Sequence, residues 1–268
     1  MHVERTGEVE VERLRPWSAV ARVPTATGLV WFKESAPTLA FEPALTAYVA
    51  ARRPDCTAPV LAAEGPRLLT ANVGPRLGEL LEADEPALAW AEIVVLYAEL
   101  QIGLAHETET LLALGVPDSR PARIAAKHGA QKLVRRLGDS VPLSLIHEEV
   151  HGGNVCVRDG EPVFIDWAEA SISHPFSGLV NTLRAVGPED ARRIRDLYLG
   201  PWTRFAPLSD LRAVFAAAYA LGCLCRSETW SRLLSPLAEE DRGDFDHNVT
   251  AWLEIFADAL ASPDTLGT

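Results

Sequence analysis

The stretch HEEVHGGNVCVRDGEPVFIDW, residues 147–167, decides how the rest of the chain is read. Its first five residues spell H-E-x-x-H, the pattern in which a zinc site sets two histidines one turn apart on a helix with a glutamate as general base. That helix is hard to build here. The preceding VPLSLI carries proline and β-branched residues, and Gly152-Gly153 ends any helix at the second histidine. Glu169, which could be offered as a distant third ligand, follows Asp166-Trp167 at the end of a strand-like run rather than on a second helix. We therefore set the zinc reading aside.

The second half of the stretch supports a different chemistry. NVCVRDGEPVFIDW is two strand-like runs flanking Asp159-Gly160, a strong signal for a two-residue hairpin turn. A hairpin brings its ends together, so Asn154 entering and Asp166 leaving become neighbours. An amide oxygen beside a carboxylate is oxygen ligation suited to Mg²⁺. Glu149 precedes Asn154 on the same loop and can serve as a base that orients a hydroxyl. Phosphoryl transfer from a nucleotide needs little else beyond a cation on the phosphates. Lys33 ends the third strand-like run, where its ammonium could reach the α and β phosphates, and Glu42 on the following helical segment can hold it by an ion pair.

Working outward, the first third reads as strands. VEVERLR alternates apolar and polar residues, and AVARV and LVWFK follow, separated by PTATG with its turn residues Pro24 and Gly28. FEPALTAYVAARR has helical spacing with Pro43 suited to a first turn, and APVLAA and PRLLTA read as two more strands. Gly74, Pro75 and Gly78 mark a linker, followed by an amphipathic run starting near Asp84 and Pro86. Thereafter RPARIAAKHGAQKLVRRLG, PEDARRIRDLYL, LSDLRAVFAAAYALGCLCRSETWSRLL and EEDRGDFDHNVTAWLEIFADALA all carry apolar residues at three and four spacing. The expected class is α+β: a small strand-rich lobe with one helix, then a larger helical lobe with a hairpin at its heart.

Composition limits the alternatives. The chain has 268 residues, 48% of them apolar and 23% charged, enough for a core without staples. No uninterrupted apolar run approaches the roughly 18 residues of a membrane span, and the N-terminus lacks the apolar segment of a signal peptide. A cytoplasmic protein with no membrane partner is expected. The four cysteines lack C-x-x-C spacing, and Cys223 and Cys225 in the small-residue run FAAAYALGCLC read as buried core thiols. A formal net charge of −12 with dispersed basic residues argues against a nucleic-acid partner and is compatible with a cationic small substrate.

On these residues the chain resembles the aminoglycoside phosphotransferase-like small-molecule kinases, which share the bilobed fold of eukaryotic protein kinases. Their loop usually reads H-G-D-x-H-x-x-N, followed by a hairpin and I-D-[WF]. The match covers His147, His151, Gly153, Asn154, Ile165, Asp166 and Trp167, and the lobe order agrees over nearly the whole chain. The resemblance implies a nucleotide-binding lobe over 1–71 and a helical lobe over 72–268 carrying the catalytic loop, metal site and acceptor site. It implies Asn154 and Asp166 as Mg²⁺ ligands, Lys33 as the phosphate lysine with Glu42 its partner, and the segment around Leu69, Thr70 and Asn72 as the adenine-binding hinge.

The chain departs from the family pattern twice. Glu149 stands where aspartate is usual, preceded by Glu148 where glycine is usual. One added methylene moves the carboxylate by roughly 1.5 Å, while the reference pKa barely changes. LRPWSAVARV replaces a glycine-rich phosphate loop, leaving the small Ser18 and Ala19 to bring backbone amides to the phosphates, with Trp17 at the tip.

The function expected is an ATP- or GTP-dependent, Mg²⁺-requiring kinase acting on a hydroxyl of a small polar molecule such as an aminoglycoside, an amino sugar or another antibiotic or metabolite, with Glu149 orienting the nucleophile. Its acceptor pocket is expected beyond Trp167, where SETWSRLL and EEDRGDFDHNV supply acidic groups and Trp230. Antibiotic resistance, self-protection and metabolism are the roles open to such an enzyme. The alternative is a pseudokinase, a nucleotide- or metabolite-binding module whose altered base has lost the chemistry.

Overall fold

A computed structural model describes residues 4–82, 90–186 and 188–261. In chain order its strands are β1 (Glu10–Arg15), β2 (Ser18–Thr25), β3 (Gly28–Ser35), β4 (Val60–Glu64), β5 (Arg67–Ala71), β6 (Ser144–Ile146), β7 (Val155–Arg158), β8 (Glu161–Phe164) and β9 (Ser171–Ser173). Its α-helices are α1 (Glu42–Arg52), α2 (Leu77–Glu82), α3 (Trp90–Leu104), α4 (Thr108–Ala113), α5 (Pro121–His128), α6 (Gln131–Leu137), α7 (Val180–Ala185), α8 (Pro188–Leu199), α9 (Leu208–Leu234), α10 (Glu239–Arg242) and α11 (Asn248–Ala261). The class is α+β, as expected. The run expected near Asp84 and Pro86 begins outside the described residues.

The first compact unit comprises the described residues of Met1–Leu88 with Gly152–Ala168 and Leu237–Arg242. Its five-stranded antiparallel sheet has the order β1-β2-β3-β5-β4, and α1 crosses from β3 to β4. Pro43 sits in the first turn of α1, where a missing N–H costs nothing. Between Val11 and Arg13 the register of β1 on β2 slips by one residue, a β-bulge at Glu12.

By packing, this unit does not stop at residue 71. The segment expected to be a linker is tied to the hairpin: Val157 N–H donates to Pro75 O (2.9 Å) and Gly78 N–H to Gly152 O (2.8 Å). Gly74 has φ +90°, and a Cβ there would lie 2.2 Å from Val157 O, so only glycine fits. Ala58, Val73, Cys156 and Val163 form a small buried cluster with Ile165 against it. The β7–β8 hairpin pairs Val155 with Phe164 and Arg158 with Glu161. Asp159 (φ +56°) and Gly160 (φ +86°) supply the two positive φ values of a type I′ turn.

The second unit comprises the described residues of Ala89–His151, Glu169–Pro236 and Gly243–Thr268. Phe176 centres its core, with Tyr198, Trp202 and Phe215 within 5.9 Å between ring centroids. Helix α9 is long and apolar enough to cross a membrane, yet it is a core helix with Phe215, Leu221 and Cys225 fully buried. Arg226 and other polar residues punctuate it, so it holds no uninterrupted apolar run of membrane-spanning length. RPARIAAKHGAQKLVRRLG forms two helices rather than one, since Gly129 caps α5 at φ +65°. The EEDRGDFDHNV segment likewise breaks at Gly243, φ +50°, before α11.

Candidate functional site

In the first unit a cavity of about 390 Å³ is lined by the inner faces of β2, β3 and β5 and by the hairpin's ends. Its walls are apolar at Val20, Leu29 and Phe164 and polar at Lys33, Asn154 and Asp166. Lys33 projects from β3 and is buried. Its Nζ donates to Glu42 Oε1 (2.7 Å) and to Asp166 Oδ1 (2.6 Å). Ser35 Oγ donates to the other Glu42 oxygen at 2.8 Å, so the Glu42 carboxylate, 1% exposed, is held on both sides. Burial pulls the Lys33 ammonium down, but Asp166 and Glu42 outweigh it and raise its pKa, so it is a fixed cation at neutral pH. Burial raises the Glu42 carboxyl against the pull of Lys33.

The hairpin brings Asn154 and Asp166 together, with Ile165 N–H donating to Asn154 O at 3.0 Å. Asp166 has φ +63°, a conformation rare outside glycine that costs roughly 1 kcal/mol and marks a constrained position. Burial alone would raise its carboxyl. Lys33 and Arg13 overcome that and hold it well below the usual carboxylate range. Arg13, which the sequence reading did not single out, reaches from β1 to donate through Nη2 to Asp166 Oδ2 at 2.8 Å. Asn154 and Asp166 are hard oxygen donors on one cavity wall, a set that fits Mg²⁺. Among the described residues no three His, Cys, Asp or Glu side chains converge as a metal cage. A cation held here would draw its remaining ligands from phosphate and water oxygens, as Mg²⁺ does at nucleotide sites.

Thr70 and Asn72 of the expected hinge line the cavity, whereas Leu69 does not. Asn72 Oδ1 accepts from Trp31 Nε1 at 3.1 Å. Ser18 and Ala19 are not among the lining residues either. Both are bound into β2, pairing with Ser35 and Glu34 of β3, so their backbone is committed to the sheet.

In the second unit the loop after β6 carries the two carboxylates and two imidazoles of HEEVH. Gln101, fully buried, holds β6 by donating to Leu145 O (3.1 Å) while its own carbonyl accepts from Tyr198 Oη (2.6 Å). His147 N–H donates to Tyr97 Oη at 2.9 Å. Glu148 has φ +66° and is 2% exposed, so the H-E-x-x-H residues are not on a helix and their histidines are not one turn apart on one. That φ explains why glycine suits this position. In this chain the glutamate is instead stabilised by what it reaches: Ser171 Oγ (2.5 Å) and Thr229 Oγ1 (2.9 Å) donate to its carboxylate.

Glu149 points elsewhere. Its Oε1 accepts from Arg226 Nη2 (2.5 Å) and Asn181 Nδ2 (2.8 Å), and its Oε2 lies 3.1 Å from His151 Nε2. Asn181 Nδ2 also donates to the Glu148 carbonyl at 2.8 Å, pinning the loop backbone. Arg226, on α9 and 3% exposed, further donates to Glu169 Oε2 at 2.6 Å and lies 3.6 Å from Glu148. The longer side chain at position 149 is thus matched by fixed donors. Arg226 and Asn181 were missed in the sequence; the one available signal was a lone arginine inside the small-residue run CLCRSETW. The acidic groups expected at an acceptor pocket are partly committed: Glu228 pairs with Lys127 and with His128 Nε2 (2.6 Å), and Trp230 stacks on Phe245.

The phosphotransferase enzyme family matches residues 19–208 of the chain. The chain belongs to this family. It is a small-molecule phosphotransferase, a kinase with a hydroxyl acceptor. No curated protein matches it in sequence. Among solved structures it is similar to a choline/ethanolamine kinase family protein from Mesorhizobium loti, with a TM-score of 0.64 at 13% identity over 98% of this chain and 91% of that one. It is similar also to aminoglycoside 2'-phosphotransferase-IIIa, solved as a GDP complex, with a TM-score of 0.57 at 13% identity over 96% and 93% of the two chains. A macrolide 2'-phosphotransferase from Brachybacterium faecium gives a TM-score of 0.53 at 16% identity over 98% and 95%. At these identities the likeness is one of fold, the protein-kinase-like fold expected from the sequence.

Proposed function

We propose that this phosphotransferase moves the terminal phosphoryl group of ATP or GTP, with Mg²⁺, to a hydroxyl of a small polar acceptor such as an aminoglycoside, an amino sugar or another antibiotic or metabolite. The observation that carries this reading is the bridge made by Lys33 to Glu42 and Asp166 on the wall of a cavity also lined by Asn154. On this reading the apolar walls hold the base, Thr70 and Asn72 border it, and Lys33 contacts the phosphates. Asn154 and Asp166 hold Mg²⁺, which when bound neutralises charge on the transferring phosphoryl oxygens. Glu149, fixed by Arg226, Asn181 and His151, orients the acceptor hydroxyl and takes its proton. The acidic balance of the chain suits a cationic acceptor, and a cytoplasmic setting supplies the nucleotide.

The test is to mix the protein with Mg²⁺, ATP or GTP and a panel of amino alcohols, amino sugars, aminoglycosides, macrolides and nucleosides while following nucleoside diphosphate release. Acceptor-dependent release that disappears in Glu149→Gln supports the assignment. Nucleotide binding with no release on any acceptor returns the chain to the binding-module reading.

A further inference from the structure

The cavity of the first unit contains a cation that no feature of the sequence pattern assigns. In a regular strand consecutive side chains face opposite ways, yet Glu12 and Arg13 both line the cavity. The bulge at Glu12 makes this possible, because an extra residue re-aims the side chain that follows it. Arg13 then spans from β1 to Asp166, a hydrogen-bonded ion pair between residues 153 apart in sequence.

Two cations thus share one carboxylate, Lys33 on Oδ1 and Arg13 on Oδ2. Lys33 has a second carboxylate, Glu42, to hold it in place. Arg22, the next cavity cation along, is engaged by Glu10 (3.0 Å) and Glu12 (3.1 Å). A metal ion held by Asp166 would compete with the guanidinium and the ammonium for its two oxygens. The nearest new anions in the cavity are then the phosphates of the incoming nucleotide. A planar guanidinium is suited to phosphate, and its side chain, 40% exposed, has room to swing. Ser18 and Ala19, whose backbone is spent in the sheet, leave the phosphates short of donors on this side.

We propose that Arg13 is a phosphate-binding residue of the nucleotide site, which pairs with Asp166 and would turn to the nucleotide phosphates if Mg²⁺ were bound at that carboxylate. In this chain it does the work that the backbone amides of a glycine-rich turn would do. The inference rests on the nucleotide reading given above, and the experiment separates the two.

Binding of Mg·ATP, Mg·GTP, adenosine and guanosine is measured by calorimetry on the full chain for the unmodified protein, Arg13→Gln, Arg13→Lys and, as a control on the same strand, Arg15→Gln. The expected result is a loss of triphosphate affinity in Arg13→Gln of about ten- to a hundredfold, the worth of a charged hydrogen bond. Arg13→Lys recovers part of the loss, nucleoside binding is unchanged, and Arg15→Gln binds as the unmodified protein does. Circular dichroism and the melting temperature confirm that the substitution at this half-buried position leaves the fold intact. If Arg13→Gln binds the triphosphate as well as or better than the unmodified protein, Arg13 only masks Asp166 and the proposal falls alone. If the unmodified protein binds neither nucleotide, the functional reading falls and takes the proposal with it.

Discussion

Arg226 Nη2 lies 2.5 Å from Glu149 Oε1, and the same guanidinium meets Glu169 and Glu148. One buried cation therefore compensates three carboxylates on two segments. Replacing it with an apolar residue strands those charges, and Arg226→Met is expected to destabilise the protein by about 3–5 kcal/mol. Urea unfolding measures this. Adding Glu148→Gln to the variant should return part of the loss; no recovery would mean that the guanidinium matters for packing rather than charge.

The donors around Glu149 are set for its length. Glu149→Asp draws the carboxylate back by one methylene from Arg226, Asn181 and His151. With an acceptor in hand, kcat should fall on the order of a hundredfold in Glu149→Asp although aspartate is the usual residue at this position. Nucleotide affinity should not change. Equal or faster turnover would show that the base position tolerates either length.

Lys33→Met removes the cation from between Glu42 and Asp166. Nucleotide affinity should fall at least about tenfold, since a charged hydrogen bond to phosphate contributes roughly 1.5–3 kcal/mol. Glu42 is then buried without its ion-pair partner, so the melting temperature should also drop. Lys33→Met/Glu42→Gln should regain stability without regaining nucleotide affinity, and calorimetry beside thermal melts reads both.

His174 is 2% exposed, and burial pushes its pKa down to about 3 from the usual 6.5. The unfolded chain accepts a proton that the folded protein refuses between those values. Its contribution to stability is thus complete above about pH 6.5 and falls as pH drops toward the folded value, by at most about 1.4 kcal/mol per pH unit. Asparagine can still accept from Phe176 N–H as His174 Nδ1 does. Urea unfolding of His174→Asn from about pH 4.5 to about pH 7 should show a flatter slope than the unmodified protein; parallel slopes would place the acid sensitivity elsewhere.

Two helical glycines should respond oppositely to alanine. A Cβ on Gly222 of α9 would lie 2.3 Å from Ser177 O and 2.5 Å from Val180 Cγ2, so Gly222→Ala should cost about 1–3 kcal/mol despite better helix propensity. Gly103 of α3 has nothing within 4 Å of the added carbon, and Gly103→Ala should stabilise by roughly 0.5–1 kcal/mol. Thermal melts of the two variants give the signs directly.

What was legible in the sequence is local or closed by a turn. The strands β1 to β5 announce themselves by alternation and by Pro and Gly, and Asp159-Gly160 fixes the hairpin that joins Asn154 to Asp166. Lys33 and Glu42 meet because only a short turn separates β3 from α1. Arg13 was not legible: its aim depends on a one-residue bulge, and its partner is 153 residues away. Arg226 and Asn181 reach Glu149 from helices whose packing no periodicity specifies. Ser18 and Ala19 were singled out by their place opposite the family's glycine-rich loop and by their size, and neither says that their strand begins there.

The hairpin's place in the first unit also sets the order in which the protein can be made. Residues 152–168 supply Val163 and Cys156 to the cluster that includes Ala58 and Val73, and Phe164 N–H donates to Cys56 O at 2.9 Å. A ribosome releases the chain from its N-terminus, so β1 to β5 emerge long before the segment that fills this cluster. Until Ala168 has been synthesised, the nascent sheet carries an unfilled apolar surface, and that interval is when a chaperone would find it.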